Sequence, residues 1–202
     1  MVTYELENFS SKSQEILEDL SNRRKLKQYL RAVKKDQRLL SLSEHYDILD
    51  KVVLYADEQC RIRLHIFGDG YFDRPHNHRW SYSSKILSGS YRHTIYSVSP
   101  AIDMPTMEHL TPILIRRERA GDFYTLHHSQ YHSVTASSGT VTLIYRGPAE
   151  TDRFRVMDRV SHEAWWQYGA NIESQAEKEN KRMSPERFNL LIEKIEKLEL
   201  IC

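Results

Sequence analysis

Between Gly70 and Gly89 the chain reads GYFDRPHNHRWSYSSKILSG, with two imidazoles one residue apart, His76 and His78. Side chains on a strand alternate between faces, so both rings leave from one face and Asn77 from the other. Such spacing puts their Cα atoms roughly 6–7 Å apart. From there two rings can reach one ion at metal–nitrogen distances of about 2.0–2.1 Å. A pair does not hold an ion firmly, and a third ligand must come from elsewhere. The supply is ample: the chain has 10 histidines, seven of them between His76 and His132, against only 7 glycines.

On both sides of this stretch the sequence has the pattern of short strands. VVLYA from Val52 is followed by RIRLHIF, where Ile62, Leu64 and Ile66 alternate with Arg61, Arg63 and His65. Further strands are expected around Ser83–Leu87, Tyr91–Val98, Thr111–Arg116, Asp122–Leu126, Thr140–Arg146 and Phe154–Met157. Turn-forming runs such as GDG, SGS, RAGD and SSG separate them. Many short strands of this kind predict an all-β sandwich or barrel over residues 51–160. Residues 1–50 read as a helical extension, with apolar residues at helical spacing from Ser10 to Leu42 and a break near Ser21 and Asn22. Helical sequence is expected again from about Ser161, so that residues 161–202 pack on the barrel or on a partner subunit. In its last element Ser184 caps, Pro185 enters the first turn, and Phe188, Leu191, Ile195 and Leu198 form one stripe.

Composition narrows the function classes. With 202 residues, 29 Lys plus Arg and 28 Asp plus Glu, the net charge is +1. That excludes a dedicated basic surface for nucleic acid. No run approaches the ~20 apolar residues needed to span a bilayer, and MVTYELENFSSK lacks the basic-then-apolar order of a signal peptide. Two cysteines, Cys60 and Cys202, suit a reducing compartment, so a cytoplasmic location is expected. Cys60 reads as a buried small hydrophobe; His45, His65, His109 and His162 read as structural or surface groups. No glycine-rich dinucleotide or phosphate-loop fingerprint is present.

Gly70, His76, His78 and Gly89, and then Gly121 and His132, resemble the two motifs of the cupins. Tyr82 stands where the first motif has a glutamate, while His127, Ser129 and Ala136 replace the proline, second glycine and asparagine of the second. The resemblance implies a double-stranded β-helix, or jelly-roll, barrel with helical N- and C-terminal extensions. It also implies a divalent metal held by His76, His78 and His132 without a carboxylate. His127 and His128 are alternatives for the third ligand; only one of two adjacent strand residues points inward, and the spacing from Gly121 favours His132. Over roughly residues 60–157 the chain further resembles the thiol dioxygenases, the cysteine dioxygenase-like branch, which implies Fe(II). Imidazole alone does not exclude Zn, Mn, Ni or Cu. Some members of that branch carry a cysteine, cross-linked to a tyrosine, near the position of Ser83, so no such cross-link forms here.

Three neutral ligands leave the ion's charge uncompensated and favour an anionic substrate alongside O2. The leading expectation is a dioxygenase acting on a small polar, anionic molecule such as a thiol or amino acid derivative. Tyr82 and Tyr145 are candidate catalytic residues. Arg63 and Arg146 are candidates for a two-pronged bond to a substrate carboxylate, and His93 and Tyr124 are further substrate-binding candidates. Two registers remain open for the last barrel strand, with Tyr145 or Arg146 facing inward. Each arginine or tyrosine also has a plainer reading as solvated face or cross-strand packing. The alternatives are a metal-dependent isomerase, lyase or hydrolase using Zn or Mn, and a non-catalytic metal- or ligand-binding cupin. No nucleic acid or membrane partner is expected; dimerisation through strands or the final helix is.

Overall fold

The computed structural model describes residues 2–169 and 172–202. Three helices lead in, α1 (Val2–Leu20), α2 (Arg23–Val33) and α3 (Gln37–Ser41). The expected break falls at Ser21 and Asn22 because extended Asn22 caps α2, its side chain accepting from the backbone N–H groups of Arg24 and Lys25. Asp36 caps α3 in the same way. Among the described residues eleven strands follow: β1 (Glu44–Tyr46), β2 (Leu49–Ala56), β3 (Arg61–Phe67), β4 (Tyr82–Ser88), β5 (Ser90–Ser97), β6 (Thr111–Arg119), β7 (Phe123–Leu126), β8 (Tyr131–Ala136), β9 (Val141–Arg146), β10 (Arg153–Met157) and β11 (Ala164–Tyr168). The chain ends in α4 (Gln175–Asn180) and α5 (Pro185–Lys197).

One sheet runs β1-β2-β3-β9-β4-β7. Opposite it, β6-β5-β8 and β10-β11 are joined by residues 72–77, which bridge β8 on one side and β10 on the other. Starting from β3 and counting 72–77 as a strand, the first segment pairs with the eighth, the second with the seventh, the third with the sixth and the fourth with the fifth. This nested hairpin is the jelly-roll barrel the sequence predicts. Gly89 makes the tight link between β4 and β5. Its φ is +71°, and a Cβ there would lie 2.7 Å from the Cα of Thr140, so the position takes no side chain.

The sheet led by β3 is covered on its outer face. Ile62, Leu64 and Ile66 pack there with Val141 and Leu143 against Leu17, Leu26, Leu30, Phe188, Leu191 and Ile195 from the helices. The final helix thus lies on the barrel, with Ser184 and Pro185 at its start as expected. A second, more aromatic core of Phe67, Tyr82, Tyr91 and Tyr124 fills the inside. Helical sequence does not resume at Ser161. Residues 164–168 form β11, paired with β10 so that Trp166 faces Arg155, whose guanidinium lies 5.1 Å from its ring centre. The next helix, α4, starts at Gln175. Among the described residues no helix is long and apolar enough to cross a membrane.

Candidate metal centre

Residues 72–77 make only isolated bridges, yet they are firmly placed. His76 and His132 exchange backbone bonds in both directions, N to O at 3.0 and 2.9 Å. Asn77 N–H donates to the carbonyl of Arg155 at 3.2 Å, and the Asn77 side-chain oxygen accepts from Arg155 N–H at 2.7 Å. Asn77 is therefore turned away from the two imidazoles, as the alternation predicts. The His76 and His78 rings lie 4.7 Å apart, and His132 is 4.7 Å from the first and 5.0 Å from the second. One ligand atom from each of the three lies within 4.8 Å of the others. His127 and His128 do not join them; they group with Glu150, His128 Nδ1 lying 2.9 Å from its carboxylate.

The hydrogen bonds around these rings fix which nitrogens are free. His76 Nδ1 lies 2.7 Å from the carbonyl of Arg74, an acceptor only, so Nδ1 carries the proton and Nε2 the lone pair. Behind His132 runs a buried chain: its Nδ1 is 3.0 Å from His93 Nε2, and His93 Nδ1 is 3.1 Å from a carboxylate oxygen of Glu118. Glu118 also pairs with Arg116. Read from the carboxylate end, His93 donates from Nδ1 and accepts at Nε2, so His132 donates from Nδ1 and keeps its lone pair on Nε2. His78 Nε2 and His132 Nε2 then stand 2.8 Å apart. Two nitrogens bound at about 2.0–2.1 Å and at right angles to one ion would lie about 2.8–3.0 Å apart. Burial first, then the neighbouring imidazoles, push His78 and His132 well below the usual histidine range, leaving both neutral as metal ligation requires. The donor set fits a divalent ion.

The centre opens into a cavity of about 330 Å³. Tyr82, 4% exposed, has its ring 4.7 Å from that of His78 and its hydroxyl 3.4 Å from His132 Nε2. Tyr124 lines the same space and accepts a 2.7 Å bond from the Tyr91 hydroxyl. Arg63 and Arg146 also line it. His93, expected as a substrate contact, is fully buried behind His132 and does not line this cavity. Tyr145 is a second correction. Arg146 pairs with Arg61 and Tyr82, which turns Tyr145 to the outer face, where its ring meets that of Phe9 of α1 at 5.5 Å. Ser83 likewise points outward, bonded to Ser13 at 2.6 Å and Thr125 at 2.7 Å.

Arg61, His65 and Trp80 line the cavity without having been foreseen as site residues. For the first two the signal was present: Arg61, Arg63 and His65 share one face of β3. Of these only Arg63 is a candidate from the sequence; the apolar side of the strand faces the helices and the charged side the barrel interior, which brings Arg61 and His65 to the cavity beside it. Lys51 and Lys181 are cavity residues too, held by Glu44 at 3.4 and 3.2 Å. Burial works against ionisation of Glu44, but Lys51, Arg63 and Lys181 outweigh it and bring its carboxyl down to about 2.

Neither a family model nor a curated protein matches this chain. Solved structures do. A KdgF from Halomonas sp. aligns at 13% identity over 51% of this chain and 82% of its own, with a TM-score of 0.40. An RmlC-like cupin from Shewanella frigidimarina NCIMB 400 aligns at 18% over 55% and 86%, TM-score 0.42. Oxalate decarboxylase from Bacillus subtilis aligns at 16% over 54% of this chain and 27% of its own, TM-score 0.41.

Proposed function

We propose that the protein is a mononuclear non-haem Fe(II) oxygenase built on a cupin-type barrel, acting on a small anionic substrate such as a thiol or amino acid derivative. The observation that carries this reading is the convergence of three imidazoles, two of them fixed as Nε2 donors by their own hydrogen bonds, at the wall of a cationic cavity. His76, His78 and His132 hold the ion. Bound there, iron supplies Lewis acidity and one-electron chemistry toward dioxygen. The protein supplies the rest. His93 and Glu118 are positioning residues that hold His132 in its ligating tautomer. Arg63 and Arg146 receive a substrate carboxylate with paired N–H groups. Tyr82 directs its hydroxyl at the centre and stabilises negative charge on the bound molecule by hydrogen bonding. The aromatic interior keeps bulk water away, which strengthens each of these interactions.

A second reading, a Zn or Mn isomerase, lyase or hydrolase, is favoured by the same donor set, since three histidines also make a catalytic zinc site. One experiment separates them. Protein purified without air is analysed for metal, and oxygen uptake is recorded against a panel of small thiols and amino acids. Iron content with substrate-dependent oxygen consumption supports the oxygenase. Turnover that needs metal but ignores oxygen assigns the second chemistry, and ligand binding without turnover leaves a binding protein.

A further inference from the structure

Among the described residues the Arg61, Arg63 and Arg146 guanidinium groups in the cavity make no ion pair with a carboxylate; Glu44 attracts Arg61 and Arg63 only at longer range and is already paired with Lys51 and Lys181. Arg61 and Arg146 are cross-strand neighbours on β3 and β9, and Arg63 lies two residues along the same face. In all three the Nε is buried without a hydrogen-bond partner. The lysines nearby are already matched: Lys51 to Glu44, and Lys181 to Glu44 and, at 2.6 Å, to Glu173. Like charges directly opposite on a sheet oppose its pairing. Burial first, then repulsion among the arginines, brings Arg61 down to about 10 and Arg146 to about 9. Such crowding out of water is costly, and an anion relieves it.

The cluster shares its cavity with the three histidines, and Trp80 neighbours both: its ring centre is 6.2 Å from that of His78, with the Arg146 guanidinium 4.3 Å over its face. We propose that Arg61, Arg63 and Arg146 form a second anion subsite. The substrate then carries two spaced acidic groups, one reaching the histidines and the other, a phosphate or a carboxylate, held in the arginine forks. This inference rests on the reading that the cavity takes the substrate of the histidine centre. Three forks offer more donors than one carboxylate has lone pairs to accept, which sets the site apart from a single carboxylate anchor. Planar guanidinium forks match carboxylate and phosphate alike.

The test uses inorganic phosphate, succinate and acetate as probes, with thermal shift and calorimetry at constant ionic strength. Phosphate or succinate is expected to bind and raise the melting temperature where acetate does not; the tighter of the two names the group. Arg61→Gln, Arg63→Gln and Arg146→Gln are each expected to weaken that binding roughly tenfold or more. Without anion these variants melt at or above the wild-type temperature, the reverse of what removing a structural arginine does. A His76→Ala, His132→Ala double variant should retain phosphate binding, because phosphate alone reports on the arginines. Its retention alongside a wild-type protein devoid of metal would defeat the oxygenase reading and leave the subsite standing. The subsite is overturned if phosphate and succinate bind no more tightly than acetate, or if the arginine variants bind them as wild type does.

Discussion

Replacing Glu118 by glutamine tests the buried chain that orients His132. The carboxylate is 4% exposed and accepts from His93 Nδ1 at 3.1 Å, and His93 in turn accepts from His132 at 3.0 Å. A hydrogen bond to a charged acceptor contributes about 1.5–3 kcal/mol, against about 0.5–1.5 for a neutral one. Glutamine keeps the size and an accepting oxygen but removes the charge, so the chain is weakened by about 1–1.5 kcal/mol. That corresponds to roughly a tenfold loss of metal affinity, the lower end of the range for groups supporting a ligating histidine. The assay is competition with a chelator of known affinity, using Co(II) or Fe(II) without air, with circular dichroism to confirm folding. Arg116→Gln is the companion. Its side chain is 38% exposed, so its pairing with Glu118 adds little, and metal affinity should stay within about twofold. Unchanged affinity in a folded Glu118→Gln protein would refute the relay and the tautomer assigned to His132.

Four further outcomes are expected. His76→Ala, His78→Ala and His132→Ala each abolish metal retention by elemental analysis, whereas His127→Ala does not. Tyr145→Phe leaves metal content and substrate binding unchanged, because that ring packs on α1; a changed substrate affinity would reverse the strand register. Gly89→Ala lowers stability to urea by about 1–3 kcal/mol, combining a strained positive φ with a clash against Thr140 backbone. Glu44 has its carboxyl held at about 2 against an ordinary 4.5. Its contribution is therefore full above about pH 4.5 and lost as pH falls toward 2, amounting to at most about 3 kcal/mol. In urea melts across that window Glu44→Gln should flatten the acid slope, and an unchanged slope would contradict the pairing with Lys51 and Lys181.

The pairing of His76 and His78 was legible from their spacing, one residue apart; His132 as their partner followed from the resemblance of Gly121 and His132 to the second cupin motif. Gly89 was legible as the closing glycine of the first motif within the turn-forming SGS; the structure adds the steric reason. Orientation was harder. An alternating strand shows that its two faces differ but not which face is inside, and β3 turns its isoleucines toward helices laid over the barrel. Arg63 on the charged face is a candidate from the sequence, but its neighbours Arg61 and His65 on that face are not. The ambiguity between Tyr145 and Arg146 is of the same kind, removed only by the pairing of Arg146 with Arg61 and Tyr82. His93, expected to contact substrate, instead holds His132, because sequence cannot distinguish a group that touches a ligand from one that holds its neighbour. At β11 a strand stands where helical sequence is expected from about Ser161, because pairing with β10 sets Trp166 against Arg153 and Arg155, a long-range contact that local pattern does not carry.

The doubled backbone link between His76 and His132 bears on how an ion is acquired. Where a small domain must gather its ligands around zinc, the metal and the native state arrive together and a chelator unfolds both. Here the receptacle is strapped to β8 and β10 by main-chain bonds that need no ion. Loading and stripping are then simple exchange at a ready-made socket, and apo-protein should endure as a folded, reloadable species whose melting point shifts only by mass action.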